Sequence, residues 1–135
     1  MDYLRENHDT RRLIILRHGQ TRENQLGIIQ GKSVGGTLAD NDIDPSILQW
    51  CRTNIAEPAV IIGSSATRCS QYAHLLVGAL GLAIETTPTL EQRAWGEVEG
   101  KTTNALGKAF VRDAFYADTD ILPPGAESLS AVRER

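Results

Sequence analysis

Leu13-Ile14-Ile15-Leu16-Arg17-His18-Gly19 joins four consecutive apolar residues to three of opposite character. An unbroken apolar run of this length reads as a strand of a parallel sheet, buried on both faces because helices cover each side. The run stops at Arg17, which puts Arg17, His18 and Gly19 at the carboxyl end of the expected strand. In open α/β sheets that end faces the ligand crevice. A planar guanidinium suits a phosphate or carboxylate there, and a glycine after the histidine lets the backbone turn and approach a ligand.

Further along, Ala59-Val60-Ile61-Ile62 repeats the pattern between Pro58 and Gly63-Ser64-Ser65, and Ala83-Ile84-Glu85-Thr86 is a third, shorter strand candidate before Pro88. Helical signals lie between and after these runs. Asp44-Pro45 offers an N-cap followed by the proline favoured at the first helical position. Ile47, Leu48, Cys51 and Ile55 then form one apolar stripe. From Ser65 to about Gly81, Cys69, Tyr72, Ala73, Leu76 and Leu80 recur every three to four residues. Thr103 onward, with Leu106, Ala109 and Phe110, reads as a third helix, and Ser128 to Arg135 opens a fourth. Alternating strand and helix imply an α/β layered fold. Phe110, Phe115 and Tyr116 are expected as core packing before pocket lining.

The chain has 135 residues, enough for one core and too few for two ordinary domains. Its 41% hydrophobic and 23% charged residues match an average globular composition, which excludes a disordered tail or a fibrous repeat. Fourteen basic against seventeen acidic residues leave a net charge of -3 with no basic stripe, so nucleic acid is not expected as a partner. Cys51 and Cys69 form neither a CxxC nor a Cys/His cluster, which argues against a disulfide framework or a zinc site. Residues 1–11 read as a polar lead ahead of a domain over 12–135. The lead has no apolar core of a signal peptide, and Leu13–Leu16 is far short of a membrane span. A cytoplasmic protein with no membrane partner is the expectation.

Two anion-binding segments and several false ones follow. Ser64-Ser65-Ala66-Thr67-Arg68 ends a strand and opens a helix, which puts Arg68 in the first turn, where free N–H groups and the dipole favour an anion. A cation is mildly disfavoured there unless it shares that anion with Arg17. Gly31-Lys32-Ser33 has a P-loop ending, but its earlier glycine, Gly27, is one residue too close and no strand precedes it. Asp40-Asn41-Asp42-Ile43-Asp44 starts like a calcium loop, yet Pro45 and Cys51 stand where glycine and glutamate are needed. No metal is expected. His8 and His74 carry no expected role.

Arg17-His18-Gly19-Gln20-Thr21-Arg22-Glu23-Asn24 resembles the RHGxTxxN signature of the histidine phosphatase superfamily, which includes cofactor-dependent phosphoglycerate mutases and many small phosphatases. Gln30-Gly31 stands at the family's spacing for a polar residue and glycine lining the phosphate pocket. The segment from Gly63 to Ala73 resembles SPLxRCxQTA, Leu90 to Gly100 resembles LxExxxGxxEG, and Pro124-Gly125-Ala126-Glu127-Ser128 resembles PGGES. The resemblance runs from about residue 12 to the last residue, in order.

It implies a three-layer α/β/α fold with a mostly parallel central sheet, and a phosphatase in which His18 attacks phosphorus and becomes phosphohistidine. Arg17 and Arg68 would hold the phosphoryl oxygens, Asn24 and Gln30 would add neutral donors, and Gly31 would line the pocket. The partner is then a small phosphorylated substrate, no cofactor is implied, and a homodimer stays open. The family's general acid is a glutamate, but counting back from Gly96 places Gln92 there, with Glu91 adjacent as a substitute. The family also has a later strand-His-Gly element, and no histidine follows His74, so the chain is expected to be the first two-thirds of the fold. That departure keeps a non-catalytic phosphate- or partner-binding relative as the alternative. A mutase is a further alternative, although Gln92 to Gly100 looks more like the phosphatase form.

Overall fold

The computed structural model describes residues 12–32, 35–56, 59–110, 113 and 122–135. In chain order its elements include α1 (Arg22–Gln25), α2 (Pro45–Asn54), β1 (Val60–Ser64), α3 (Thr67–Leu80), β2 (Ala83–Thr87), α4 (Thr103–Leu106) and α5 (Leu129–Glu134). Single 3-10 turns sit at Pro88–Leu90 and Gly96–Val98. The polar lead, Phe115 and Tyr116 lie outside the described residues.

β1 and β2 pair in parallel, with Val60 opposite Ala83 and Ser64 opposite Thr87. Parallel neighbours need a crossover, and α3 supplies it. α3 buries Arg68, Tyr72, Ala73 and Leu76, a spacing that keeps all four on one stripe, and it packs on both strands. Gly81 closes α3 in the left-handed conformation, at φ 72°, where a glycine avoids the penalty a side chain would bring. α2 packs in turn on α3. Asp44 caps α2 by accepting from Ser46 N at 2.8 Å, and Pro45 opens the helix as its spacing predicts.

Leu38, Ile43, Cys51, Tyr72 and Leu76 form the main buried cluster, with Ile55 and Ile61 packed against it. Ile29, Trp95 and Val98 form a second one, against which Leu106 and Phe110 pack. Phe110 thus packs in the core as expected, but the helix expected from Thr103 through Phe110 stops at Leu106, because Gly107 leaves helical geometry at φ 80° and ψ 151°. An α/β architecture with a parallel sheet is what the alternation of apolar runs and amphipathic stretches predicts.

The structure departs from expectation at Leu13–Leu16. This segment is not paired as a strand, and Leu13 and Ile15 are 84% and 85% exposed. An apolar run becomes a strand only when a neighbour takes its N–H and C=O groups. Among the described residues the two-stranded sheet ends at β1 and β2. The outer face of β1 likewise shows Val60 and Ile62, 49% and 57% exposed, while Ile61 faces the core.

Candidate active site

His18 follows the 12–17 segment and is half-buried. Its Nδ1 lies 2.7 Å from the carbonyl oxygen of Gly19. A carbonyl can only accept, so Nδ1 carries the hydrogen and Nε2 keeps its lone pair. Burial lowers the imidazole's pKa below 6.5; the Gly19 carbonyl pulls the other way, and the charges of Arg68 and Arg17 add to the lowering. The ring is thus a neutral base at neutral pH, flanked by two cations.

The sign of this shift fixes a pH dependence. An unfolded His18 binds its proton more tightly than the folded one, so the fold loses stability as pH falls from 6.5 through the lowered folded value. Above 6.5 nothing is lost. A ¹⁵N titration of the ring should give a midpoint below 6.5, moved upward in Arg68→Met. A midpoint at or above 6.5 would contradict the burial and charge around the ring.

Arg68 lies in the first turn of α3 and is only 2% exposed. Its guanidinium donates to Gly35 O at 3.0 Å, to Gly31 O at 3.4 Å and to Gln92 Oε1 at 2.7 Å. All three partners are neutral. No side-chain hydrogen bond caps α3 at Ala66, so helix N–H groups and a buried cation converge at one end of the βα unit.

Gly31 makes this seat possible. It is buried at φ 66°, and a Cβ there would fall 1.9 Å from Glu99 Oε1. Glu99 in turn accepts from Lys32 N at 3.1 Å and Trp95 N at 2.7 Å. The carboxylate thereby fastens the Gly31 turn to the 95–99 segment.

Thr21 is fully buried and organises the loop behind His18. Its Oγ1 accepts from Asn24 N at 3.1 Å, and its own N–H donates to Asn24 Oδ1 at 3.3 Å. Gln30 Nε2 also donates to Thr21 Oγ1. Asn24 and Gln30, the expected neutral donors to phosphate, thus each bond Thr21 with one side-chain atom, Asn24 through Oδ1 and Gln30 through Nε2. Arg17 is exposed beside His18.

The Glu91-Gln92 pair separates by its backbone. Glu91 is extended, at φ -64° and ψ 148°, and successive side chains of an extended segment point opposite ways. Gln92 meets Arg68, whereas Glu91 Oε1 accepts from Ser65 Oγ. Arg135 grips the same segment through Nη2 to Glu91 O at 2.6 Å and Nη1 to Thr89 O, and its Nε donates to Glu127 Oε1 at 2.9 Å. Glu127 also accepts from Ala94 N and pairs with Lys32 at 3.4 Å. Burial alone raises the Glu127 pKa, but the Arg135 hydrogen bond, the Ala94 N–H and the charges of Arg135 and Lys32 outweigh it, and the carboxyl titrates below its ordinary value.

Glu99, Glu127 and Arg135 are absent from the residues singled out by sequence reasoning. Glu127 lies in the quoted Pro124–Ser128 segment, and Glu99 falls within the quoted Leu90–Gly100 segment, so their positions were visible although their tasks were not. Arg135 carried no signal. Among the described residues, no group of three His, Cys, Asp or Glu side chains could hold a metal, and no helix is long and apolar enough to cross a membrane.

The sequence matches the model of the histidine phosphatase superfamily, branch 1, over residues 13–135. The chain belongs to that superfamily. Curated relatives of this superfamily member include the fructose-2,6-bisphosphatase TIGAR of Mus musculus, 27% identical over 127 residues, covering 91% of the chain and 47% of the relative. TIGAR B of Danio rerio is 26% identical, with 91% and 49% covered. The chain thus spans about half the length of the curated relatives it matches.

Solved structures of the same fold include a mycobacterial glucosyl-3-phosphoglycerate phosphatase complexed with VO3, at TM-score 0.71 and 24% identity, covering 87% of this chain and 56% of that one. A second, TTHB049 from Thermus thermophilus, has a TM-score of 0.64 and 23% identity, with 87% and 64% covered. These likenesses establish the fold of this histidine phosphatase superfamily chain.

Proposed function

We propose that the chain is a phosphatase that hydrolyses a small phosphomonoester through a phosphohistidine on His18. The observation that carries this reading is Arg68, a guanidinium 2% exposed that donates to three neutral oxygens, next to an imidazole held neutral. Neutral acceptors leave a buried cation's charge uncompensated, which is costly, and an arriving phosphate dianion supplies the missing charge. The relatives named as phosphatases support the same chemistry.

In this reading Nε2 of His18 attacks phosphorus while Nδ1–H stays on Gly19 O. Arg17 and Arg68 spread the charge of the equatorial oxygens, and the free N–H groups at the start of α3 add to that field. Asn24 and Gln30 act through Thr21 by fixing the turn that carries His18, and Gly31 acts through its carbonyl on Arg68. Water then cleaves the P–N bond. The domain over 12–135, acting in the cytoplasm, belongs to this proposal.

Mixing the protein with an excess of 4-nitrophenyl phosphate and quenching in alkali, where phosphohistidine survives and acid destroys it, checks the intermediate. A peptide bearing phosphate on His18 is expected. Turnover with phosphate trapped on another side chain would overturn the assignment. A phosphate-binding protein without turnover is the second reading, favoured by Gln92 occupying an Arg68 N–H group. It predicts phosphate binding with no modified peptide.

A further inference from the structure

The groups that meet Arg68 and His18 are carbonyls and an amide: Gly31 O, Gly35 O, Gln92 Oε1 and Gly19 O. None can give up a proton to a leaving oxygen. Among the described residues, Glu23, Glu99 and Glu127 of the surrounding loops are held by other donors. Glu23 Oε2 accepts from Thr37 N, Glu99 Oε1 from Lys32 N and Trp95 N, and Glu127 from Ala94 N and Arg135. Glu91 projects away from Gln92 onto Ser65, and its backbone is clamped in that sense by Arg135. With Oε1 on Arg68, Gln92 offers a substrate only N–H donors.

We infer that the site selects phosphate carried on a leaving group that departs without a proton, and that its substrate class is the acyl phosphates. This rests on the phosphohistidine reading above and replaces its phosphomonoester by the mixed anhydride of phosphate and a carboxylic acid. A carboxylate leaving group has a conjugate acid that titrates near about 4, whereas the conjugate acid of an alkoxide is about as weak as water. Only the first leaves readily as the bare anion. The Nε2 lone pair of His18 forms the N–P bond as the P–O bond to the acyl group breaks, and that electron pair leaves on the carboxylate. An N–H of Gln92 hydrogen-bonds the departing oxygen without transferring its hydrogen. Water then bonds to phosphorus, the P–N pair returns to Nε2, and the water's proton leaves with phosphate or to solvent.

The test compares kcat/KM of the whole chain for acetyl phosphate and glycerol 3-phosphate, with His18→Ala as the background and Gln92→Glu as the variant. Acetyl phosphate is expected to be favoured by at least about 10³, within the range that a general acid contributes to the rate. Gln92→Glu restores an acid at this position, and since such groups contribute roughly 10²–10⁴ in rate, the preference should narrow by about that factor. A ratio is read because the new charge can slow both substrates. Comparable values for the two substrates in the unmodified protein, or a ratio unmoved by Gln92→Glu, overturn the inference while the phosphatase reading stands. No turnover above His18→Ala with either substrate, and no phosphate on His18, overturns both.

Discussion

Replacing His18 with alanine is expected to bring phosphatase activity down to background, a loss of about 10⁶ if it follows other enzymes stripped of their nucleophile. The size of the effect follows from covalent catalysis: without Nε2 no N–P bond forms, and water in the site has no base positioned by Gly19 to replace it. Stability should change little. His18 is half-buried and bonded to Gly19 O, so its removal should cost no more than about 1 kcal/mol. Removing a ring whose pKa the fold depresses also removes its acid sensitivity below 6.5. Steady-state assays, thermal unfolding and phosphopeptide mapping on the same preparation separate these effects. A folded His18→Ala protein that keeps most of the activity would remove His18 from the chemistry.

Arg68→Met is the second large effect, and it reaches stability as well as rate. Methionine approximates the length of the side chain and leaves the carbonyls of Gly31 and Gly35 without their donor, at about 1–3 kcal/mol for each oxygen that water does not reach. Loss of one preorganised charge at the phosphoryl oxygens should lower kcat by about 10²–10³. Arg68→Lys should recover only part of this, because an ammonium cannot reproduce the planar fork that spans Gly31, Gly35 and Gln92. Thermal shifts with added phosphate provide an independent measure. At about 100 times its dissociation constant, phosphate should stabilise the unmodified protein by about 2.7 kcal/mol and leave Arg68→Met nearly unmoved. An equal shift in both proteins would show that the anion sits elsewhere.

The elements read correctly from the sequence are those whose signals are local. Asp44-Pro45 is a complete helix start, and Tyr72, Ala73 and Leu76, the buried part of the stripe read from Cys69 to Leu80, need only the helical period to be seen. β1 and β2 sit close to their apolar runs, each extending a residue or two beyond the run. Leu13–Leu16 shows the limit, because its composition is that of a strand while strand formation depends on a neighbour that sequence composition does not contain. At the site, His18 and Arg68 were legible as residue types after apolar runs. Their seating was not, since the oxygens that hold them belong largely to the main chain of Gly19, Gly31 and Gly35, and a backbone carbonyl leaves no mark in a sequence. Asn24 and Gln30 illustrate the same gap: their types fit a phosphate contact, but the buried Thr21 that each also bonds, through Asn24 Oδ1 and Gln30 Nε2, leaves no mark in the sequence pattern.

The grip of Arg135 on the carbonyls of Thr89 and Glu91 also sets an order of events during synthesis. Those contacts join residues 46 and 44 positions apart, so the segment that presents Gln92 to Arg68 waits for the distant residue that fixes it. At about 5–20 residues per second, Glu91 precedes Arg135 from the ribosome by roughly 2–9 s. The β1–α3–β2 unit, complete by Thr87, can close in that interval. The anion seat is then built on an already folded floor, and its mouth acquires a shape only afterwards.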